Sequence, residues 1–255
     1  MQKTSTNLVV AAIMSVTLFA ACNKNVSSSS SISPSFTSSD ETITMSTDGA
    51  GDTTLTLRPN PAIGDDVYVN NILANPGTVD SNFNNVPELA IGTWTYNGQL
   101  DYTRSFIKFS ALKNIRTTAT VVSATLQLFS LQGSSLSDPQ GNSVYPGSPY
   151  VTAGYTDNSA LVQKVVATWK STTLTWATQP PITELDQVTL PSSTSQWEYN
   201  PKINVTNIVK RMIEHPLQNY GFEIRPTVEQ PYRSLVFGSC EATVSERPKL
   251  TIVYH

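Results

Sequence analysis

The sequence predicts an all-β protein, an antiparallel β-sandwich of jelly-roll type with one short helix, preceded by a signal peptide and a disordered tether. Three observations carry that expectation. After Asn60, apolar residues recur at period two in short runs. Clusters of Gly, Pro, Asn and Asp, the residues that make turns, separate those runs. One segment alone shows convincing helical spacing. Many short strands divided by turns suit a sandwich rather than an α/β fold.

The elements follow in order. Lys3 supplies a short positive region, and "LVVAAIMSVTLFAA" is apolar but too short to span a bilayer comfortably. It ends in "LFAAC", similar to a bacterial lipobox, where cleavage leaves Cys22 as a lipidated N-terminus. Residues 1–21 are therefore expected to be a lipoprotein signal peptide, with Cys22 as the lipidation site and membrane anchor. "NKNVSSSSSISPSFTSS" follows, a serine-rich composition that packs no core. Residues 22–60 are expected to form the tether, and 61–255 the domain.

Within the domain, "VVSATLQLF" alternates cleanly, with Val122, Ala124, Leu126 and Leu128 on one face and Ser123, Thr125 and Gln127 on the other. "DDVYVNNIL", "ELAIGTWTY", "RSFIKFSAL", "LVQKVVATW", "GFEIRPTV", "RSLVFGSC" and "KLTIVYH" are further strand candidates. In "NVTNIVKRMIEHP", Thr206 is placed to cap a helix, Ile208, Val209, Met212 and Ile213 form its apolar stripe, and Pro216 stops it. "GTWTYNGQLDY" and the longer "GSSLSDPQGNSVYPGSPYVTAGYTDNS" read as loops, and a loop as long as the second is usually functional or disordered.

Composition narrows the function classes. The formal net charge is −3 and no basic run exists, which argues against a nucleic-acid partner. With Cys22 lipidated only Cys240 remains, so no internal disulfide is expected and the core must hold the domain alone.

The order of the segments resembles the DNRLRE-domain family, which includes a carbohydrate-binding module family and disaggregatase-related repeats. "DDVYVNN" is similar to its opening strand, "RSFIKFSAL" to its Arg-Ser-Phe-x-x-Phe strand, and "ATVVSATLQLF" to the strand that follows. "VATWKSTTLTWATQPP" has the two tryptophans ending in Gln-Pro, and "INVTNIV" stands where the family has Asp-Val-Thr, with Asn204 replacing the aspartate. "NYGFEI" and "ERPKLTIVY" complete a resemblance over residues 61–255. It implies a β-sandwich and a polysaccharide partner, since characterised members bind polysaccharides, including alginate-like polyuronates.

Trp169 and Trp176 fall on otherwise apolar faces and are expected in the core. The ligand candidates lie elsewhere. In "TRSFIKF", Arg104, Phe106 and Lys108 share a face, and a ring between two cations suits an acidic sugar. The competing arrangement is Arg104 in a structural salt bridge with Phe106 beneath a loop. Arg225 and Arg233 could bring further cations, unless Glu223 neutralises Arg225. Trp94, Tyr96 and Tyr102 are the stacking candidates, ahead of Tyr145, Tyr150 and Tyr155.

No catalytic residues are assigned: no paired-carboxylate constellation, zinc spacing, G-x-S-x-G elbow or phosphate loop is present. The one cofactor the sequence admits is a structural calcium, for which Asp65 with Asp66, or Asp157 with Asn158, would supply loop oxygens. The expected function is a non-catalytic lipoprotein of the cell envelope, held in the outer membrane and facing outward. It would bind an acidic, uronate-type polysaccharide. The alternative is a structural or adhesive surface module with a protein or matrix partner. Nothing in the sequence fixes an oligomeric state.

Overall fold

A computed structural model describes residues 41–62, 66–131 and 141–255. The signal peptide, Cys22, the tether up to residue 40 and Asp65 lie outside the described residues, as does 132–140 of the long loop.

The strands are β1 (Glu41–Thr47), β2 (Thr53–Pro59), β3 (Asp66–Ile72), β4 (Glu88–Tyr96), β5 (Gln99–Ile107) and β6 (Val121–Gln127). After a one-turn helix α1 (Pro149–Thr152) come β7 (Ala160–Val165), β8 (Ile182–Leu190) and β9 (Lys202–Asn204). Helix α2 (Thr206–Glu214) precedes β10 (Phe222–Pro226), β11 (Arg233–Gly238) and β12 (Lys249–Tyr254). Every pairing is antiparallel. One sheet runs β1-β2-β12-β6-β9; the other runs β11-β4-β5-β10-β7-β8, with β3 also on β5. This is the all-β sandwich the period-two runs imply.

The main core lies between the sheets. Leu55, Leu57, Leu126, Leu250 and Ile252 meet Leu89, Ile107, Phe222, Ile224 and Phe237, all essentially inaccessible. Helix α2 adds Ile208, Val209, Met212 and Ile213 to the same core, so its expected stripe is the buried one. Its cap differs in detail. Asn204 Oδ1 accepts from the Thr206 backbone N–H at 3.0 Å and from its hydroxyl at 2.7 Å. Asn204 thus supplies an acceptor where the resembled family has aspartate.

Two segments depart from the sequence reading. Residues 41–59, assigned to the tether, form β1 and β2, with Leu55 opposite Ile252 and Leu57 opposite Leu250. The Ser- and Thr-rich composition hides a period-two strand, because threonine suits a pleated half-buried surface. "GTWTYNGQLDY", read as a loop, is instead most of the β4–β5 hairpin. It turns at Asn97-Gly98, both left-handed at φ 50° and 73°, the backbone a two-residue hairpin turn requires.

The larger sheet forks at β5. One edge of β5 carries β3 along residues 101–107. The other edge is shared, by β4 at residues 99–103 and by β10 at 105–107. Where β4 leaves, the buried Ser105 hydroxyl donates to the Ala90 carbonyl at 2.7 Å, bridging the parted strands. The β4–β11 arm so released walls the cleft described next.

Candidate functional site: a cleft at the sheet fork

The hairpin turn sets the register that builds the site. It places Trp94 opposite Asp101 and Gly92 opposite Thr103. On the far edge of β5, Asn70 faces Thr103, and on the far edge of β4, Ser234 faces Gly92. Partners directly opposite in a ladder share a face. A cleft of about 170 Å³ therefore opens on residues from four adjoining strands: Asn70, Trp94, Asp101 and Thr103, with Thr93 and Arg233 beside them. Gly92 is obligatory, since a Cβ there would sit 2.5 Å from the Arg233 carbonyl oxygen. The edge of β11 is closed by the long loop: Ser143 N–H donates to the Ser234 carbonyl, and the Asn142 side-chain oxygen accepts from Val236 N–H at 3.0 Å.

Four polar atoms of the lining residues are sealed within its walls. Asn70 Oδ1, Thr93 Oγ1, Asp101 Oδ1 and Arg233 Nε are all buried and have no hydrogen-bond partner. Buried polar atoms normally find one, because each orphan costs about 1–3 kcal/mol. Burial also pushes the Asp101 carboxyl up to about 6, so it changes charge in mildly acidic solution.

Beside the cleft stands an aromatic group. Trp94 meets Tyr150 edge-on at 5.0 Å and Tyr232 at 5.2 Å, Tyr232 stacks on Tyr150 at 5.7 Å, and Tyr155 abuts Tyr232 at 5.0 Å. Tyr232 is held in the left-handed region at φ 64°. A bulky side chain tolerates that only where its surroundings over-determine it.

The candidates expected from the sequence thus divide. Trp94 and Arg233 line the cleft. Tyr96 is exposed beside the hairpin turn, outside the residues that line it. Arg104, Phe106 and Lys108 do not form an open cationic surface, and that expectation is corrected. Phe106 is fully buried with Val67, Val69, Val165, Trp169 and Leu174 in a second core on the other side of the sheet. Arg104 bonds Glu229 at 2.6 Å, lies 3.7 Å from Glu223 and stacks over Trp176 at 4.6 Å. Lys108 sits over the Trp169 ring at 5.6 Å, and Tyr102 stacks on Trp176 at 6.0 Å. Glu223, raised by burial, is drawn back by Arg104 and Arg225, so Arg225 serves this ion-pair group, although its Nε has no hydrogen-bond partner. Trp169 is buried and donates through its indole N–H to the Tyr220 carbonyl at 2.6 Å; Trp176 packs against the same cluster half-buried. Trp169 is in the core as expected, whereas Trp176 lies only at its edge.

Two calcium candidates are engaged locally. Asp157 accepts from the Ser192 hydroxyl and the Ser159 N–H, and Asn158 is bonded to Ser193 and Ser234. Asp66 accepts from the Cys240 N–H at 2.7 Å. With Glu241 these form the metal-capable group found among the described residues.

The ring flanked by two cations exists, but on the other sheet. Arg58 lies 5.0 Å and Lys249 5.8 Å from the Phe129 ring centre. Lys249 faces Gln127, which faces Lys202. Burial and then Arg58 and Lys202 lower the Lys249 pKa, while burial and then Arg247 lower that of Arg58.

Sequence reasoning missed Asn70, Thr93, Asp101 and Tyr232. For Asp101 a signal was present: Asn-Gly at 97–98 as a two-residue turn places it opposite Trp94. No local signal marks Tyr232.

No curated protein matches the chain. Residues 150–254, less than half of it, match the family described as carbohydrate-binding module family 96. That stretch runs from α1 to β12 and brings Tyr150, Tyr155, Tyr232 and Arg233 to the site, so this half of the molecule is similar to a carbohydrate-binding module.

Proposed function

We propose that the protein is a non-catalytic lipoprotein of the cell envelope, anchored through Cys22 and facing outward from the outer membrane, that binds polysaccharide in the cleft at the sheet fork. One observation carries the binding reading: a cleft in which the Trp94 ring stands among the polar residues Asn70, Asp101 and Thr103. Sugars offer many hydroxyl donors and an apolar C–H face, and so answer both halves of that surface. The family match over residues 150–254 points to the same ligand class. A preference for acidic, uronate-type chains is supported by Arg233 in the cleft lining and, on the other sheet, by the Arg58, Lys249 and Lys202 group. The cleft lining contains one carboxylate, Asp101, whereas glycoside hydrolysis usually needs two.

Affinity electrophoresis of the full chain against neutral and uronate polysaccharides, with Trp94→Ala beside it, tests this. Retardation by a polyuronate that the variant loses is the expected result. A folded protein retarded by no glycan would move the assignment to a structural or adhesive module. Products accumulating with time would make the protein an enzyme.

A further inference from the structure

We infer that the outer face of the smaller sheet is a second glycan-binding surface, separate from the cleft, where Arg58, Lys249 and Lys202 receive the carboxylates of an acidic polysaccharide. This takes its ligand class from the polysaccharide reading above.

Strand register builds the surface. Leu55, Leu57, Leu126, Leu250 and Ile252 go to the core, so the residues between them point outward. Arg58 follows Leu57, the partner of Leu250, and so stands beside Lys249. Lys249 faces Gln127, and Gln127 faces Lys202. This row crosses β2, β12, β6 and β9, about 15 Å at the usual strand spacing. Alongside it runs a second row, Thr44, Thr56, Thr251, Thr125 and Asn204. The side chains of both rows are exposed or half-exposed, and the second offers hydroxyls and an amide to a sugar.

The cations have no counter-charge on their sheet neighbours. β2, β6, β9 and β12 contain no Asp or Glu, and none of the ion pairs among the described residues engages Arg58, Lys202 or Lys249. Arg58 Nη1 donates to the neutral carbonyls of Val244 at 2.8 Å and Arg247 at 3.0 Å. Lys249 lies over the Phe129 ring. Neither contact cancels a charge. Burial, then the charges of Arg58 and Lys202, lowers the Lys249 pKa, and a carboxylate seated among these cations relieves their repulsion. Lys202 and Lys249 both fall within the stretch that matches the carbohydrate-binding family. Exposed charge contacts are individually weak, so the row reinforces the cleft and does not replace it.

The test is lysine acetylation of the full chain, read by mass spectrometry, with polygalacturonate, dextran or phosphatidylglycerol vesicles present. Polygalacturonate should slow Lys202 and Lys249 several-fold and leave Lys170, exposed in the loop after β7, unchanged. Dextran and the vesicles should slow none of them. In parallel, the double variant Lys202→Gln, Lys249→Gln should weaken polygalacturonate binding about fivefold, the scale of two exposed charge contacts, and flatten its salt dependence. Should that variant misfold, the wild-type acetylation pattern decides. Two unprotected lysines, or a folded double variant of undiminished affinity, would overturn the second surface and leave the cleft reading intact. Protection by the vesicles as strong as that by polygalacturonate would overturn it in favour of a membrane-facing surface. Protection that persists in a folded Trp94→Ala protein of unchanged affinity would overturn the cleft and keep this surface. No binding of polygalacturonate or dextran would overturn both.

Discussion

Strand β5 carries two regions of opposite character on its two faces. Asp101 and Thr103 open into the cleft; Tyr102, Arg104 and Phe106 face the other way. By composition the second face is the more promising binding surface. Yet Phe106 is sealed in a core, and Arg104 is held between Glu223, Glu229 and the Trp176 ring. The cleft face is plainer in sequence, and buried acceptors go unmatched on both faces, at Asn70 and Asp101 on one and at Glu223 on the other. A charged side chain is a poor guide to a site when the fold can supply its partner.

Substitutions on the two faces should separate stability from binding. The largest effect belongs to Phe106→Ala, expected to cost about 3–5 kcal/mol in urea unfolding, as for other buried aromatics. A fully stable variant that had lost glycan binding would reverse the comparison. Arg104→Ala comes next. It strands Glu223, whose side chain is 2% exposed, and should cost about 2–3 kcal/mol near neutrality, with glycan affinity unchanged. The Glu223 pKa, already raised by burial, climbs further without Arg104. The cost is therefore full where the carboxylate is ionised and fades as acid protonates it. A cost independent of pH would show that Arg104 acts through packing on Trp176 instead.

Smaller effects are expected in the cleft. Trp94→Ala should weaken glycan binding about tenfold, the scale of one lost aromatic contact, with a lesser change in melting temperature. Asp101→Asn should be the mildest for stability. Because the folded carboxyl titrates at about 6, above its unfolded value, folding loses stability as pH rises through that window. The amide removes the loss, so the variant should gain on the order of 1 kcal/mol above pH 6, after allowing for partial exposure, and nothing below pH 4. Melting curves at both pH values check the sign.

Much of the fold was legible because its signals are local. The alternation in "VVSATLQLF" is β6, and the stripe Ile208, Val209, Met212 and Ile213 is α2. Residues 41–59 were not legible as strands, because their partners arrive some two hundred residues later in β12 and only that pairing buries Leu55 and Leu57. The site was half legible for the same reason. Trp94 stands out by type and Arg233 by charge, whereas Asn70 and Asp101 matter only because strand pairing brings them to the cleft lining. Tyr150, placed last among the aromatics, reaches Trp94 by a fold-back of the long loop that no short-range pattern encodes.

Cys240 offers a use unrelated to sugar. Its thiol is inaccessible, and burial followed by the charge of Asp66 drives its pKa far above the ordinary cysteine value. The thiolate that alkylating and oxidising reagents attack is therefore nearly absent in the folded state. In a Cys22→Ser chain, modification of Cys240 would have to wait for β11 and its flanking turn to open, so the labelling rate becomes a clock for that opening. A protein proposed to persist outside the cell carries, in this one quiet sulfur, its own gauge of wear.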